Sequence, residues 1–475
     1  MKYHKTHKMK ILYPTIQAYT PDFDLQTILG PDYLKRRAEK YVFIVHSIMY
    51  QALRNKKQFS GYVNLNAKLL EYFIGPKFYK ETLNTLIKHG VVEQLRNDKG
   101  KAMYQAGAFS KAYRIAPRFT EGIRLKSIPI TKQTYCRKIA IAQDKMLKEA
   151  VDKNPLLKYE FLNLTRRRID VERAEHYIRQ TYNQTSEQFK SRLIAIRDFA
   201  KLKDARIENG VYKLGFHFSY KGGRVYSPAS MLPRDLEQFT YFDNEYQDEQ
   251  SVCLDMQNSQ LCFFNELVMT TAIDEGGKVK NIGDSTNESI SIGKETPLKG
   301  KKSSQNPPSL YNTPYVLNFR EPLNWADIIF NGLGYERMMY LSQWKGKQAD
   351  WSKDERQDFK AEFFGQLFYN RYSDRFTDLE IIFMQYHEAE AKALRNIKKA
   401  LGNRLLAVRV QELEGKFFHH IVVNYLKTNY KEIPFTIKHD SLTIPISCAD
   451  FLKPEIDALA SQFFKRNVEL KADVL

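Results

Sequence analysis

The chain has 475 residues and a mass of 55.7 kDa, more than one hydrophobic core usually serves, which predicts two or three domains. Its 74 Lys and Arg residues exceed its 55 Asp and Glu residues, and the formal net charge of +19 indicates a polyanionic partner such as nucleic acid. No long apolar run or apolar secretion core occurs, so we expect a cytoplasmic protein without a membrane partner. The four scattered cysteines lack the spacing of a zinc site or a disulfide framework.

The first predicted unit, residues 41–120, follows an N-terminal arm of residues 1–40 and combines helices with a hairpin. Apolar residues at helical spacing predict helices over Tyr41–Leu53, Asn66–Phe73 and Pro76–His89. A strand over Val91–Leu95, a turn and a segment returning to Ile115 then predict a hairpin. This is a winged-helix pattern. Its third helix would place Lys77, Lys80 and Lys88 against a DNA groove, or the unit would serve only as a protein spacer.

Residues 121–215 are predicted to be basic and helical, above all from Ile139 to Arg206. The run Arg166-Arg167-Arg168 and the later basic residues of this region would grip phosphates of a duplex, or would form a solvated helical face. Residues 271–310 are rich in Gly, Ser, Asn, Lys and Pro and lack apolar periodicity, which predicts a flexible insertion. Further helices are predicted over Trp325–Ser342, Lys353–Tyr372, Thr377–Leu401, Gln411–Tyr430 and within Asp450–Val474.

Two aspartates stand where carboxylates would hold a divalent metal. Asp255 ends a short apolar strand in Val-Cys-Leu-Asp-Met-Gln-Asn-Ser-Gln, and Asp440 lies in His439-Asp440-Ser441 between two segments that are predicted to be strands. Two such carboxylates, brought together, would bind Mg²⁺. Each aspartate taken alone is more often a turn or cap residue, so the prediction depends on their pairing.

Between these aspartates the sequence places a mixed cationic and aromatic stripe. Arg356, Lys360, Phe364 and Phe368 recur every four residues, which puts them on one side of a helix. In this order, the three segments resemble the three motifs of the superfamily that contains family A DNA polymerases and single-subunit RNA polymerases. The resemblance covers about residues 215–460.

The resemblance implies a set of site residues. Asp255, Asp440 and the Met256 carbonyl would hold two Mg²⁺ ions, with Mn²⁺ able to substitute. Arg356 and Lys360 would hold the triphosphate of a nucleoside triphosphate, and Lys360 would also take a catalytic part by neutralising the developing pyrophosphate. The remaining nucleotide contacts are implied to be Phe364 against the sugar and base, Phe368 beneath the template base, and Gln260.

Three further residues are implied to contact the primer and template. Gly222-Gly223-Arg224 resembles a segment that these polymerases place near the primer terminus, so Arg224 would contact the primer or its template base. Gln411 is expected to open the helix ahead of the third motif and to contact the same duplex. His439 belongs to the same set.

Sugar preference is the point at which the sequence departs from both branches. Gln260 stands where the DNA enzymes carry Glu and the RNA enzymes Gly, and its length would obstruct a 2′-hydroxyl. Phe364-Gly365 also matches the DNA branch, whereas Ser259 and the residues around Asp440 resemble the RNA branch. Phe368 replaces the usual Tyr of both. DNA synthesis is favoured, with RNA or primer synthesis as the alternative.

The fold class implied is α+β: a right-hand polymerase with palm, fingers and thumb behind a winged-helix-like domain. Its expected parts are a thumb-like region at 121–215, palm segments at 216–270 and 403–475, the insertion at 271–310, and fingers at 311–402. We expect a DNA-directed DNA polymerase without proofreading, acting on a primed template and encoded by a bacterium, phage or mobile element. Rival predictions are a non-catalytic plasmid or phage replication initiator, and a degenerate polymerase fold kept for binding.

Overall fold

The fold combines helices with antiparallel strands, so the coarse expectation of an α+β class is confirmed. The computed structural model describes residues 13, 15–33, 37–54, 61–100, 102, 111–208, 211–213, 218–273, 279–281, 324–347 and 349–475. Most of the predicted insertion, from residue 282 to its end at 310, lies outside the described residues. The helices that are described include none with the length and apolar character needed to cross a membrane.

The N-terminal unit has the three predicted helices and a small sheet. The helices are Ala38–Arg54, Ala67–Ile74 and Pro76–Lys88, and the sheet has the strand order Val63–Asn64, Ala112–Ile115, Val92–Gln94. An outer pair of strands, Ile16–Pro21 with Leu125–Ile130, extends the unit beyond the predicted bounds. The short helix Leu25–Leu29 follows the first of these strands in the chain. Ile44, Ile48, Leu86 and Val91 are fully buried, so the helices and the sheet share one core.

The middle region is helical but interrupted by strands. Its helices are Gln133–Lys153, Leu156–Leu164, Val171–Thr181, Glu187–Ala200 and Arg234–Glu237. Antiparallel pairs join Arg167–Ile169 to Thr240–Phe242, Arg206–Glu208 to Val211–Lys213, and Ser219–Lys221 to Arg224–Tyr226. The prediction of helix throughout 139–206 is therefore wrong at 167–169, because backbone pairing with a strand far along the chain outweighs local helical propensity there.

A four-stranded antiparallel sheet, here called the central sheet, lies in the largest core. Its strand order is Thr436–Lys438, Ser441–Pro445, Ser251–Asp255, Lys471–Val474. Alternation along Ser251–Asp255 buries Val252 and Leu254 and leaves Cys253 and Asp255 on the other face. The fourth strand was not predicted: the sequence predicts only a helix within Asp450–Val474, and that helix, Ala449–Phe464, ends at Lys465, whose φ is +54°, before the chain continues into the strand.

Most of the remaining helices share the hydrophobic core of the central sheet. They are Ser259–Thr270, Trp325–Phe330, Gly334–Leu341, Lys353–Phe363, Asp378–Tyr386, Glu388–Leu401, Asn403–Gly415, Val423–Asn429 and Ala449–Phe464, with π-helical turns at Phe364–Tyr369 and Lys416–Val422 and a short hairpin of Thr271–Ile273 with Val279–Asn281. Two predicted helices are each broken in two, at residues 331–333 and at His387. The expected Gln411 helix begins at Asn403, so Gln411 lies inside it and does not open it.

Candidate active site

The structure brings Asp255 and Asp440 together at one end of the central sheet. Asp255 ends its strand and pairs with Ser441, so it lies beside the hairpin turn that carries Asp440. The backbone N–H of Met256 donates to the carbonyl of Asp440 at 3.1 Å, which fixes the two turns to each other. His439 occupies the left-handed region with φ +57°, as a tight hairpin requires.

The electrostatics of this pair fit a divalent cation. Burial, and after it the neighbouring Asp440, raises the pKa of Asp255 to about 7, against weaker opposing effects of Arg234 and Lys360. The cationic side chains nearby neutralise only part of the negative charge of the two carboxylates. Such a pair provides the oxygen ligands that a hard cation prefers. Ser259 Oγ donates to Asp440 and orients that carboxylate. Nowhere in the described ranges do three His, Cys, Asp or Glu side chains converge, so waters and phosphate oxygens would complete the coordination.

The predicted stripe lies on the helix Lys353–Phe363 and its π-helical extension Phe364–Tyr369, here called the stripe helix. Ser352 and Glu355 form a capping box that fixes where the helix begins. Arg356 is half-exposed and its guanidinium lies 3.4 Å from Glu336. Lys360 is exposed, within electrostatic reach of Asp255, whereas Phe364 and Phe368 are buried. The stripe therefore passes from exposed cations to buried rings along its length.

One small cleft contains four of the residues singled out from the sequence. It is lined by Gln260, Phe364, Phe368, Tyr369, Ala407, Val410 and Gln411. Tyr369 stacks on Phe364 with ring centroids 5.8 Å apart. The cleft has a volume of about 20 Å³, which is enough for one water molecule but not for a nucleobase. A nucleotide could therefore enter only after the stripe helix or the Tyr369 ring moves.

Arg224 lies beside the aspartates but is engaged by a residue that the sequence did not single out. Its guanidinium makes two hydrogen bonds to Glu414, at 2.6 and 2.7 Å; Glu414 is fully buried and the Arg224 side chain is 14% exposed. Gly223 and Gly415 allow this, because the two backbones touch where a Cβ on Gly415 would stand 1.9 Å from the Gly223 carbonyl oxygen. The contact of Arg224 with the primer stays a prediction, and in the structure its guanidinium is engaged in an ion pair with Glu414.

His439 faces inward beside this ion pair. Its ring packs edge-on against Tyr226, with centroids 6.1 Å apart. Burial, followed by the nearby Arg224, lowers the pKa of His439 to about 4, so the imidazole is neutral at physiological pH. Its Nδ1 is buried and has no hydrogen-bond partner among the described residues. The structure places His439 next to Asp440 but in a position that supports the hairpin from within.

The basic residues of the middle region are mostly used inside the fold. Arg167 is buried and donates to Ser251 and Thr240, while Arg166 and Arg168 both pair with Asp243. Other pairs are Arg192 with Asp235, Arg197 with Glu175 and Lys201 with Asp198. The predicted phosphate-gripping role is therefore wrong for Arg167, and its neighbours are largely neutralised by carboxylates.

Two site residues escaped the sequence reasoning. Glu414 follows Arg224 by almost two hundred residues, and no spacing connects them. Tyr335 lies under Lys360, whose Nζ is 5.2 Å from its ring centroid, and against the ring of Phe364. Neither belongs to a recognisable motif, so only the folded arrangement identifies them.

Comparison with protein families and with curated proteins found no relative of this chain.

Proposed function

We propose that the chain is a template-directed nucleotidyltransferase, with DNA-directed DNA synthesis favoured over RNA or primer synthesis. The observation that carries the proposal is the convergence of Asp255, at the end of its strand, and Asp440, in the hairpin turn beside it, with Lys360 of the stripe helix within electrostatic reach. A carboxylate pair and a lysine facing one another are what transfer of a nucleotidyl group onto a 3′-hydroxyl needs.

In this proposal the architecture is that of a right-hand polymerase. The central sheet is the palm, the helices from Trp325 to Leu401 are the fingers, and the helices of 121–215 are thumb-like. The stripe helix then faces the palm across the cleft, as a nucleotide-binding helix must. The N-terminal unit, with its three helices and small sheet, is proposed to bind DNA in the manner of a winged helix.

Each protein group has a defined part in the proposed reaction. Two Mg²⁺ ions, when bound by Asp255, Asp440 and the Met256 carbonyl, would supply activation of the 3′-hydroxyl and neutralisation of the triphosphate. Arg356 and Lys360 bind the β and γ phosphates, and Phe364 positions the sugar and base. Ser259 orients Asp440, and the Arg224–Glu414 pair holds the hairpin of residues 219–226 beside the primer end.

Gln260 is proposed as the residue that selects the sugar. It lines the cleft together with Phe364, Phe368 and Gln411, and in the proposal its side chain meets the 2′ carbon of an incoming nucleotide once the cleft has opened. Because Phe368 has no hydroxyl to bond Gln260, we expect the preference for deoxynucleotides to be incomplete.

A primer-extension assay on the full chain tests the proposal. Primed and unprimed DNA and RNA templates are each supplied with Mg²⁺ and either dNTPs or NTPs. We expect extension of primed DNA with dNTPs, and Asp440→Asn should abolish it while duplex binding persists. The matched control is Asp248→Asn, which changes an exposed aspartate just before the strand Ser251–Asp255. This variant should extend the primer normally.

The outcomes separate the alternatives. Extension with NTPs alone would assign the RNA or primer branch. Duplex binding without any extension would favour a non-catalytic initiator, and extension by Asp440→Asn would overturn the site.

A further inference from the structure

We infer that Tyr335 is a nucleotide-positioning residue whose hydroxyl donates a hydrogen bond to the bound nucleoside triphosphate, near the junction of sugar and triphosphate. This inference rests on the proposed function and adds to it a residue that the motifs do not contain. Tyr335 lies on the helix Gly334–Leu341, which packs against the stripe helix.

The ring of Tyr335 fixes where its hydroxyl points. Phe363 and Phe364 both pack against the ring, with centroids at 5.8 and 6.1 Å, and the Lys360 ammonium lies over it at 5.2 Å. Tyr335 thus touches the residue proposed to bind phosphates and the residue proposed to face the sugar. Its hydroxyl is within electrostatic reach of Asp440 and is buried in this conformation, so it meets a nucleotide only after the movement that opens the cleft.

The hydroxyl is a buried donor that lacks an acceptor. Tyr335 is only 9% exposed, and within the described part of the chain its Oη has no hydrogen-bond partner. Leaving such a group unsatisfied is unfavourable, so folded proteins seldom retain one without a reason. Burial raises the pKa of Tyr335 well above its usual value, with Cys262 and Asp440 acting in the same direction, so the group stays protonated. A protonated, acceptor-free hydroxyl beside a phosphate-binding lysine calls for an oxygen-rich anionic ligand.

The substitution Tyr335→Phe removes the hydroxyl and keeps the ring. We expect the KM for the incoming nucleotide to rise on the order of tenfold with kcat changed by less than about twofold, as for loss of one hydrogen bond to a bound phosphate. The melting temperature of the free protein should stay the same or rise, because an unsatisfied buried donor is gone. A structural hydroxyl would give the opposite pattern, a lower melting temperature and an unchanged KM.

The matched control is Tyr340→Phe on the same helix. Five residues at 100° each turn its side chain about 140° away from that of Tyr335, so its KM should equal that of the unmodified chain. Binding is measured separately by calorimetric titration of dATP, and of ATP, into the full chain with Mg²⁺ and a primed DNA whose primer ends in a dideoxynucleotide. We expect Tyr335→Phe to weaken this binding on the order of tenfold.

The two measurements separate the failures. If the unmodified chain neither binds nor incorporates a nucleotide, the proposed function falls, and the role of Tyr335 falls with it. If the unmodified chain does both and Tyr335→Phe matches it in KM and Kd, only the role of Tyr335 is overturned.

Discussion

At the scale of single residues, two buried carboxylates are bound to partners far away in sequence. Glu414 is fully buried against Arg224, and His419 is buried against Glu160 at 2.8 Å. Removing one member of such a pair leaves an uncompensated group and is strongly destabilising. By contrast, Asp255 and Asp440 repel one another with little compensation. That contrast separates the ion pairs that hold the fold from the carboxylates that are available to bind a cation.

His387 provides a test of pH dependence at this scale. It is 4% exposed and its Nε2 accepts a hydrogen bond from Arg337 at 3.2 Å, so it must be neutral. Burial, with Arg337 second, lowers its pKa from 6.5 to about 4. Between these two values the unfolded chain binds a proton that the folded chain does not. The free energy of unfolding should therefore fall as the pH drops from 6.5 toward 4, by about 1.4 kcal/mol per pH unit from this residue.

Urea unfolding between pH 7 and 4.5 measures the effect. His387→Gln should show a shallower decline than the unmodified chain, and His176→Gln, at an exposed position, should show the same decline as the unmodified chain. Equal declines for His387→Gln and the unmodified chain would refute the assignment.

Which site residues could be predicted from sequence follows from the range of their interactions. Asp255 ends a short strand and Asp440 lies in the turn between two others, and the four-residue repeat from Arg356 to Phe368 is visible without a structure. Glu414 and Tyr335 are defined by contacts across the fold, and no local pattern indicates them. The sequence also draws attention to Arg224, but its ion-pair partner Glu414 is 190 residues away and no local pattern connects the two.

At the scale of elements, the same limit explains which helices and strands were predicted. The three N-terminal helices follow strong apolar periodicity. The strands Arg167–Ile169 and Lys471–Val474 are three and four residues long and form only because a distant strand pairs with them. The predicted Thr377–Leu401 helix breaks at His387, whose φ of −140° and ψ of 57° are not helical and whose side chain accepts a hydrogen bond from Arg337.

The contact of the 219–226 hairpin with the helix Asn403–Gly415 is the element-scale prediction. Gly415→Ala places a methyl group within 1.9 Å of the Gly223 carbonyl oxygen, where backbone and not a flexible side chain must give way. We expect a loss of about 1–3 kcal/mol of stability, and reduced primer extension as the hairpin shifts from the aspartates. Gly365→Ala is the matched helical control for stability, because nothing lies within 4 Å of its added methyl. Urea denaturation of both variants measures the loss. If Gly415→Ala is no less stable than Gly365→Ala, the two backbones do not make the close contact described here.

At the scale of the whole molecule, the N-terminal unit is anchored to the middle helices by a buried carboxylate. Asp198 accepts hydrogen bonds from Tyr50 at 2.5 Å and from Lys201 at 2.8 Å, and it is 4% exposed. Tyr50 belongs to the first long helix of the N-terminal unit and Asp198 to the helix Glu187–Ala200. A buried hydrogen bond therefore joins the N-terminal unit directly to the middle helices.

The net charge of +19 indicates that some basic side chains are available to bind a polyanion. Because many basic side chains of the middle region are paired with carboxylates, we look for the DNA contact in the N-terminal unit. Lys77 and Lys80 are exposed on the helix Pro76–Lys88, whereas Lys88 lies 3.4 Å from Asp32. If Lys77 and Lys80 contact phosphates, the double Ala variant should reduce the slope of log K against log salt by about two. Lys145→Ala, in an exposed pair with Glu149, is the control and should leave the slope unchanged. Fluorescence anisotropy with duplex DNA at several salt concentrations measures both slopes, and equal slopes for all three proteins would place the DNA contact elsewhere on the surface.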